Sequence, residues 1–172
     1  MIPPRPRAGP FDPAPLSPVA RWLPAFSVLA GSLLTIWPVI AGIPLLPPFG
    51  LLMLLGWRLL RSDSFPIWGA LPLGLFDDLL SGQPLGSAML LWQLCLFMID
   101  LIDQRMVYRD FWQDWLIAGG AIAFCLLAGR AVATPLAAHV DTALMLQLAM
   151  TIMLFPLIAR ICTWLDGKRG DA

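Results

Sequence analysis

The residues best placed to do chemistry lie in one stretch, Gly74 to Gly86, which reads GLFDDLLSGQPLG. Two adjacent carboxylates, Asp77 and Asp78, close an apolar run and are followed at once by a Gly/Pro turn. An acid inside a membrane-length apolar segment is expensive and is a functional candidate by default. Paired Asp residues can hold Mg²⁺, so a metal–diphosphate site is one reading, yet DDLLS brings no further carboxylate or basic phosphate ligand. An ion or proton relay is a second reading, and it lacks another intramembrane acid or histidine at mid-depth. The third is structural. An Asp that accepts backbone N–H bonds from the turn, or from a neighbouring helix start, fixes a tight reversal. Gly82 and Gly86 permit the backbone conformations such a turn needs, and Pro84 stiffens it by fixing φ. The structural role is therefore the expectation for Asp78. Asp77, rotated about 100° around a helix from it, is expected to be peripheral.

Other candidates are fewer. Asp100 and Asp103 in MIDLIDQR are three apart and share one helix face; they can meet Arg58 or Arg61 across a bundle, or Arg105 locally. Small residues, Ala70 with Gly74 and Gly119-Gly120-Ala121 with Ala123, suit close helix approach in a membrane. His139 stands alone in a loop and is given no chemistry. Cys95, Cys125 and Cys162 lie singly in apolar segments without CxxC spacing, which reads as packing rather than a metal or disulfide site. No GxGxxG, P-loop, HExxH or nucleophile-elbow pattern occurs. The expectation is a protein with no enzymatic activity, cofactor or metal.

These residues must be carried by membrane spans. Of 172 residues 59 % are hydrophobic and 13 % charged, with mean hydropathy +0.78. A soluble domain is about 45–50 % apolar and about 25 % charged. All 11 acids are Asp, a poor helix-interior residue and a good cap, so the acids belong near helix ends. A spanning helix needs about 20 apolar residues, and six segments qualify: Trp22–Gly42, Ile43–Leu60, Phe65–Leu80, Leu85–Ile102, Phe111–Val132 and Ala143–Leu165. The second and third are the weakest, interrupted by Pro44, Pro47 and Pro48 and by Gly69, Pro72 and Gly74. Ser62-Asp63-Ser64 is placed to open the third span, Asp110-Phe111-Trp112-Gln113 resembles a capping box for the fifth, and Asp141-Thr142 can cap the sixth.

Orientation follows from charge. With the N-terminus inside, ten basic residues (Arg5, Arg7, Arg21, Arg58, Arg61, Arg105, Arg109, Arg160, Lys168 and Arg169) face the cytoplasm and only Arg130 lies outside, as the positive-inside rule requires. Removing the second span would push Arg58 and Arg61 outside. Trp22, Trp57, Trp112, Trp115 and Trp164 are expected at the inner interface and Trp37 nearer the outer one. Residues 1–21, with seven prolines, read as an extended, disordered cytoplasmic tail. Residues 22–165 form the transmembrane domain and residues 166–172 a second cytoplasmic tail.

The stretch from Pro47 to Leu91 resembles the bacterial rod shape-determining protein MreD family. Its pattern G-L-L-x-D-L-L-S-G-x-P-L-G falls here on Gly74, Leu75, Asp78, Leu79, Leu80, Ser81, Gly82, Pro84, Leu85 and Gly86, so that the family acid corresponds to Asp78. Asp77 stands where the family usually has an apolar residue. The resemblance implies a non-enzymatic inner-membrane scaffold of the rod (elongasome) complex. Such a protein binds MreC and helps couple MreB to the synthases of lateral peptidoglycan growth. It also implies an all-α, six-helix transmembrane bundle similar to the substrate-binding components of energy-coupling-factor transporters. That likeness supplies an alternative, a vitamin-uptake subunit; such subunits carry an AxxxA face in their first span, whereas Ala25, Ala30 and Ala41 are never four apart. No nucleic-acid partner is expected, and a homo-oligomer is left open. Candidate structural or partner-contact residues are Asp78, Gly74, Gly82, Pro84 and Gly86 at the reversal, with Arg58, Arg61, Asp100 and Asp103 at the inner face.

Overall fold

Apolar runs punctuated by Gly, Pro and Asp fold into six α-helices, in a computed structural model that describes residues 18–34, 47–66, 68–82, 84–106, 110–133 and 142–170. The helices are α1 (Pro18–Leu34), α2 (Phe49–Leu60), α3 (Ala70–Ser81), α4 (Ser87–Asp103), α5 (Phe111–Ala133) and α6 (Thr142–Gly170). A 3₁₀ turn, Ser62–Ser64, joins α2 to α3, and no strand occurs among the described residues. The closest pairings are α3 with α4 and α1 with α2, while α2 also packs on α6 and α5.

The centre of the bundle is α2. Leu51, Leu52, Leu54, Leu55 and Trp57 are each no more than 1 % exposed, and a helix that is apolar all round belongs in a core or a membrane. Pro48 precedes it in an extended conformation, where its fixed φ and missing N–H cost nothing. Gly56 lets α6 approach: a Cβ there would lie 2.9 Å from Cys162 Sγ. Trp57 is accordingly not an interfacial anchor. Its indole N–H donates to Ser27 Oγ at 2.7 Å, and Ser27 in turn donates to the Pro24 carbonyl at 2.8 Å, so the ring ties α2 to α1. Trp22, Trp112 and Trp164 are 60–71 % exposed, Trp115 is half-buried and donates to the Ile152 carbonyl at 3.1 Å, and Trp37 lies outside the described residues.

Two helical stretches, Phe111–Val132 and Leu144–Lys168, are long and apolar enough to cross a membrane. Only 22 % and 17 % of their most apolar windows is buried, whereas a soluble protein would cover them. The twelve-residue helices α2 and α3 are each about 18 Å long, shorter than the hydrocarbon core of about 30 Å.

Three boundaries differ from expectation for physical reasons. The first helix begins at Pro18 rather than Trp22, so the last four residues of the stretch read as a disordered tail are helical, with a proline at the first helical position where its missing N–H costs nothing; residues 1–17 lie outside the described residues. The third helix begins at Ala70 rather than Phe65: Phe65 precedes Pro66 and is extended, with φ −128° and ψ 139°, as a pre-proline residue prefers. Ser62-Asp63-Ser64 therefore cannot open α3. It forms the 3₁₀ turn that ends α2, and α3 starts from Gly69 without a side-chain cap. At the other end of the chain, α6 continues through Gly170, five residues beyond the span expected from hydropathy. The opening of α5 carries half of a capping box, with the Asp110 N–H donating to Gln113 Oε1 at 3.3 Å. The Asp141 cap and His139 lie outside the described residues.

Candidate functional site

The α3–α4 reversal is built from its glycines outward. Gly82 ends α3 with φ +66°, and Gly86 precedes α4 with φ +94°, both left-handed conformations that a side chain disfavours. Gly86 has no side chain with which to cap α4, so the first N–H groups of that helix need acceptors from elsewhere. Asp78 supplies them. Its Oδ2 accepts from the Gly86 N–H at 2.9 Å and the Met89 N–H at 3.3 Å; its Oδ1 accepts from the Ala88 N–H at 2.9 Å and the Ser87 hydroxyl at 3.0 Å. The side chain is 1 % exposed. A carboxylate at a helix N-terminus also meets the favourable end of the helix dipole. Three of the four donors lie beyond the turn, in α4 itself. With each oxygen accepting twice and no surface open, the group is committed to holding two helices together.

Gly74 makes that grip possible. A Cβ at this position would lie 2.6 Å from Met89 Cα and 2.7 Å from Met89 N, so α3 and α4 touch backbone to backbone one turn before Asp78. Pro84 contributes its carbonyl, which accepts from the Ser87 N–H at 3.1 Å. Ala70, fully buried, continues the contact face.

Asp77 is not peripheral. It turns toward α1 and α2, where its carboxyl pairs with the Ser32 hydroxyl, and Ser32 is fully buried. A Cβ on Gly50 would lie 2.2 Å from Ser32 Oγ and 3.2 Å from Asp77 Oδ1. The glycine thus opens a notch in α2 through which α3 reaches α1.

The second cluster lies at the C-terminal ends of α2, α4 and α6. Arg58, 5 % exposed, pairs with Asp100, sits 3.6 Å from Asp103 Oδ2 and donates to the Ser62 carbonyl. Of the partners considered for Asp100 and Asp103, Arg58 is the one they share. Arg61 turns instead to Asp166 on α6, with its Nε and a terminal nitrogen both 2.9 Å from Oδ2. Sequence reasoning did not select Asp166, although its place at the inner end of an apolar span is the same signal that singled out Asp100. Cys95 and Cys125, read as lone packing residues, meet on α4 and α5 with sulfurs 3.3 Å apart; all three cysteines are free and buried. Among the described residues no group of three or more His, Cys, Asp or Glu could hold a metal ion.

Fold and site define a class: an all-helical, membrane-associated protein whose buried polar groups tie helix to helix rather than face a substrate. Residues 19–164 match the model of the rod shape-determining protein MreD family, and the chain belongs to that family. No curated protein and no solved structure matches it.

Proposed function

We propose that the protein is a six-span inner-membrane scaffold of the rod complex, which binds MreC and helps couple cytoplasmic MreB to lateral peptidoglycan synthesis. Family membership across residues 19–164 carries this reading. Two features support the span count. The Arg58 and Arg61 ion pairs gather the C-terminal ends of α2, α4 and α6 at one end of the bundle, as strict up-and-down alternation demands. The start of α1 at Arg21 lies at the same end, beside Arg58 and Arg61, so the basic residues cluster as they would on a cytoplasmic face.

Co-purification from native membranes tests the proposal. MreC and MreB should accompany the protein. Recovery of a bound vitamin with a pair of ATPase subunits, and no MreC, would replace it with the uptake reading.

A further inference from the structure

A cavity of about 1270 Å³ is lined by α1, by Arg61–Pro66, Trp68 and Gly69 of the connection, and by α3, with Leu96 and Asp100 of α4 also on its wall. Small-molecule pockets are about 300–1,000 Å³, so this one is large for a metabolite. Two of its walls share one gradient. From the basic end inward, α1 presents Arg21, then Ala25, then Leu29, a stripe about 12 Å deep. Across from it α3 presents Leu73 and then Phe76, and α4 presents Asp100 and then Leu96. The walls from α1 and α4 are charged at the same end and apolar further in, and α3 faces them with apolar side chains throughout, the profile of an amphiphile standing upright in one leaflet of about 15 Å. Trp22, Phe26 and Trp68, also on the lining, are 62 %, 62 % and 70 % exposed, so the cavity opens sideways to the bilayer.

The charges at the mouth narrow the class. Arg58 and Arg61 are engaged with Asp100, Asp103 and Asp166. Arg21 and Asp63, both exposed on the lining, join no ion pair among the described residues. A cation and a carboxylate at the rim without an ion-pair partner among the described residues fit a head that carries both a phosphate and a hydrogen-bonding ammonium. A guanidinium matches phosphate by its planar fork, and a carboxylate takes charge-assisted bonds from a primary ammonium. A purely anionic head leaves Asp63 facing like charge, and a quaternary ammonium has no proton to donate.

We propose that this cavity binds an aminophospholipid, with its phosphate at Arg21, its ammonium at Asp63 and an acyl chain against Leu29, Leu73 and Phe76. The leaflet is cytoplasmic only by the orientation argued above; the site itself does not depend on that orientation, and its test uses purified protein. Native mass spectrometry of the full chain, released from detergent with phosphatidylethanolamine, phosphatidylglycerol or phosphatidylcholine added, should show one retained phosphatidylethanolamine per chain. That lipid should be favoured about fivefold over the other two, the scale of one partly exposed charge pair. Arg21→Gln should weaken its retention by a similar factor. Asp63→Asn should erase the preference over phosphatidylglycerol while that lipid still binds. Ala25→Trp, which fills the cavity, should abolish retention, and Ala25→Phe serves if circular dichroism shows the larger variant unfolded. Leu90→Phe, on a face 68 % exposed, should change nothing. Equal retention of all three lipids, indifferent to Ala25→Trp and Ala25→Phe, would mean loosely associated lipid and overturn the site. Retention only after removal of residues 2–17 would assign the cavity to the chain's own N-terminal segment and overturn it equally.

Discussion

At the scale of single residues, adjacent acids have different work because they face different helices. Asp78→Ala strips acceptors from three N–H groups and a hydroxyl at the start of α4, and each buried donor left unpaired costs about 1–3 kcal/mol. A clear loss of thermal stability in detergent, and a lower level in the membrane, is the expected outcome. Asp78→Asn should fall between wild type and Ala. Its carbonyl can keep the Gly86 and Met89 donors, and its NH₂ then faces Ser87, whose hydroxyl can turn to accept, and the Ala88 N–H, which loses its acceptor. The apolar residue that the family usually has at this position would by itself make Asp77→Leu nearly silent. The structure reverses this: leucine would lose the Ser32 pairing and crowd the Gly50 notch, so a measurable drop in melting temperature should follow, with Asp77→Asn close to wild type. Asp78 was legible in sequence because its donors follow within eleven residues and the turn glycines announce the reversal. The partner of Asp77 was not legible, because Ser32 and Gly50 reach it only through tertiary packing.

At the scale of elements, the same distinction separates two glycines that look alike in sequence. Gly74 meets the α4 backbone, whereas a Cβ at Gly120 would meet nothing within 4 Å. Gly74→Ala must part α3 from α4 and should lower the melting temperature sharply. Gly120→Ala should be neutral or stabilising, since alanine is better in a helix by about 1 kcal/mol. Equal effects in thermal unfolding would disprove the backbone contact. The arginines divide in the same way. Arg58→Ala leaves two carboxylates, 33 % and 20 % exposed, without their cation. Full burial would put that loss at about 3–5 kcal/mol, and partial exposure reduces it to roughly half. Arg61, with its side chain 54 % exposed, should cost at most about 1 kcal/mol when changed to alanine. Denaturation of the two variants side by side gives the ranking. Asp100 and Asp103 were matched from sequence to Arg58, Arg61 or Arg105 because these residues close apolar runs at similar depth; only packing chooses Arg58 for them and joins Arg61 to Asp166, 105 residues away.

At the scale of the molecule, the proposed alternation of six spans would place the basic ends together. Reporter fusions after Arg61 and Arg109 should read inside, and fusions after Gly82 and Ala138 outside. An outside reading after Arg61 would remove α2 as a span and turn the Arg58 cluster to the wrong face. Helix number was visible in hydropathy, because the bilayer sets the length of an apolar run. The burial of Trp57 was not, because an indole suits an interface or a core equally and only the neighbouring Ser27 decides.

The central place of α2 bears on how the protein is made. Its walls come from both sides of the chain: α1 is synthesised before it, while α5 and α6 leave the ribosome last. Until α6 arrives, the groove at Gly56 that takes Cys162 stands open to lipid, and Arg61 has yet to meet Asp166. Closure of the bundle is therefore a late event of biogenesis, separable from insertion. A nascent chain arrested before α6 would leave the Gly56 face of α2 uncovered.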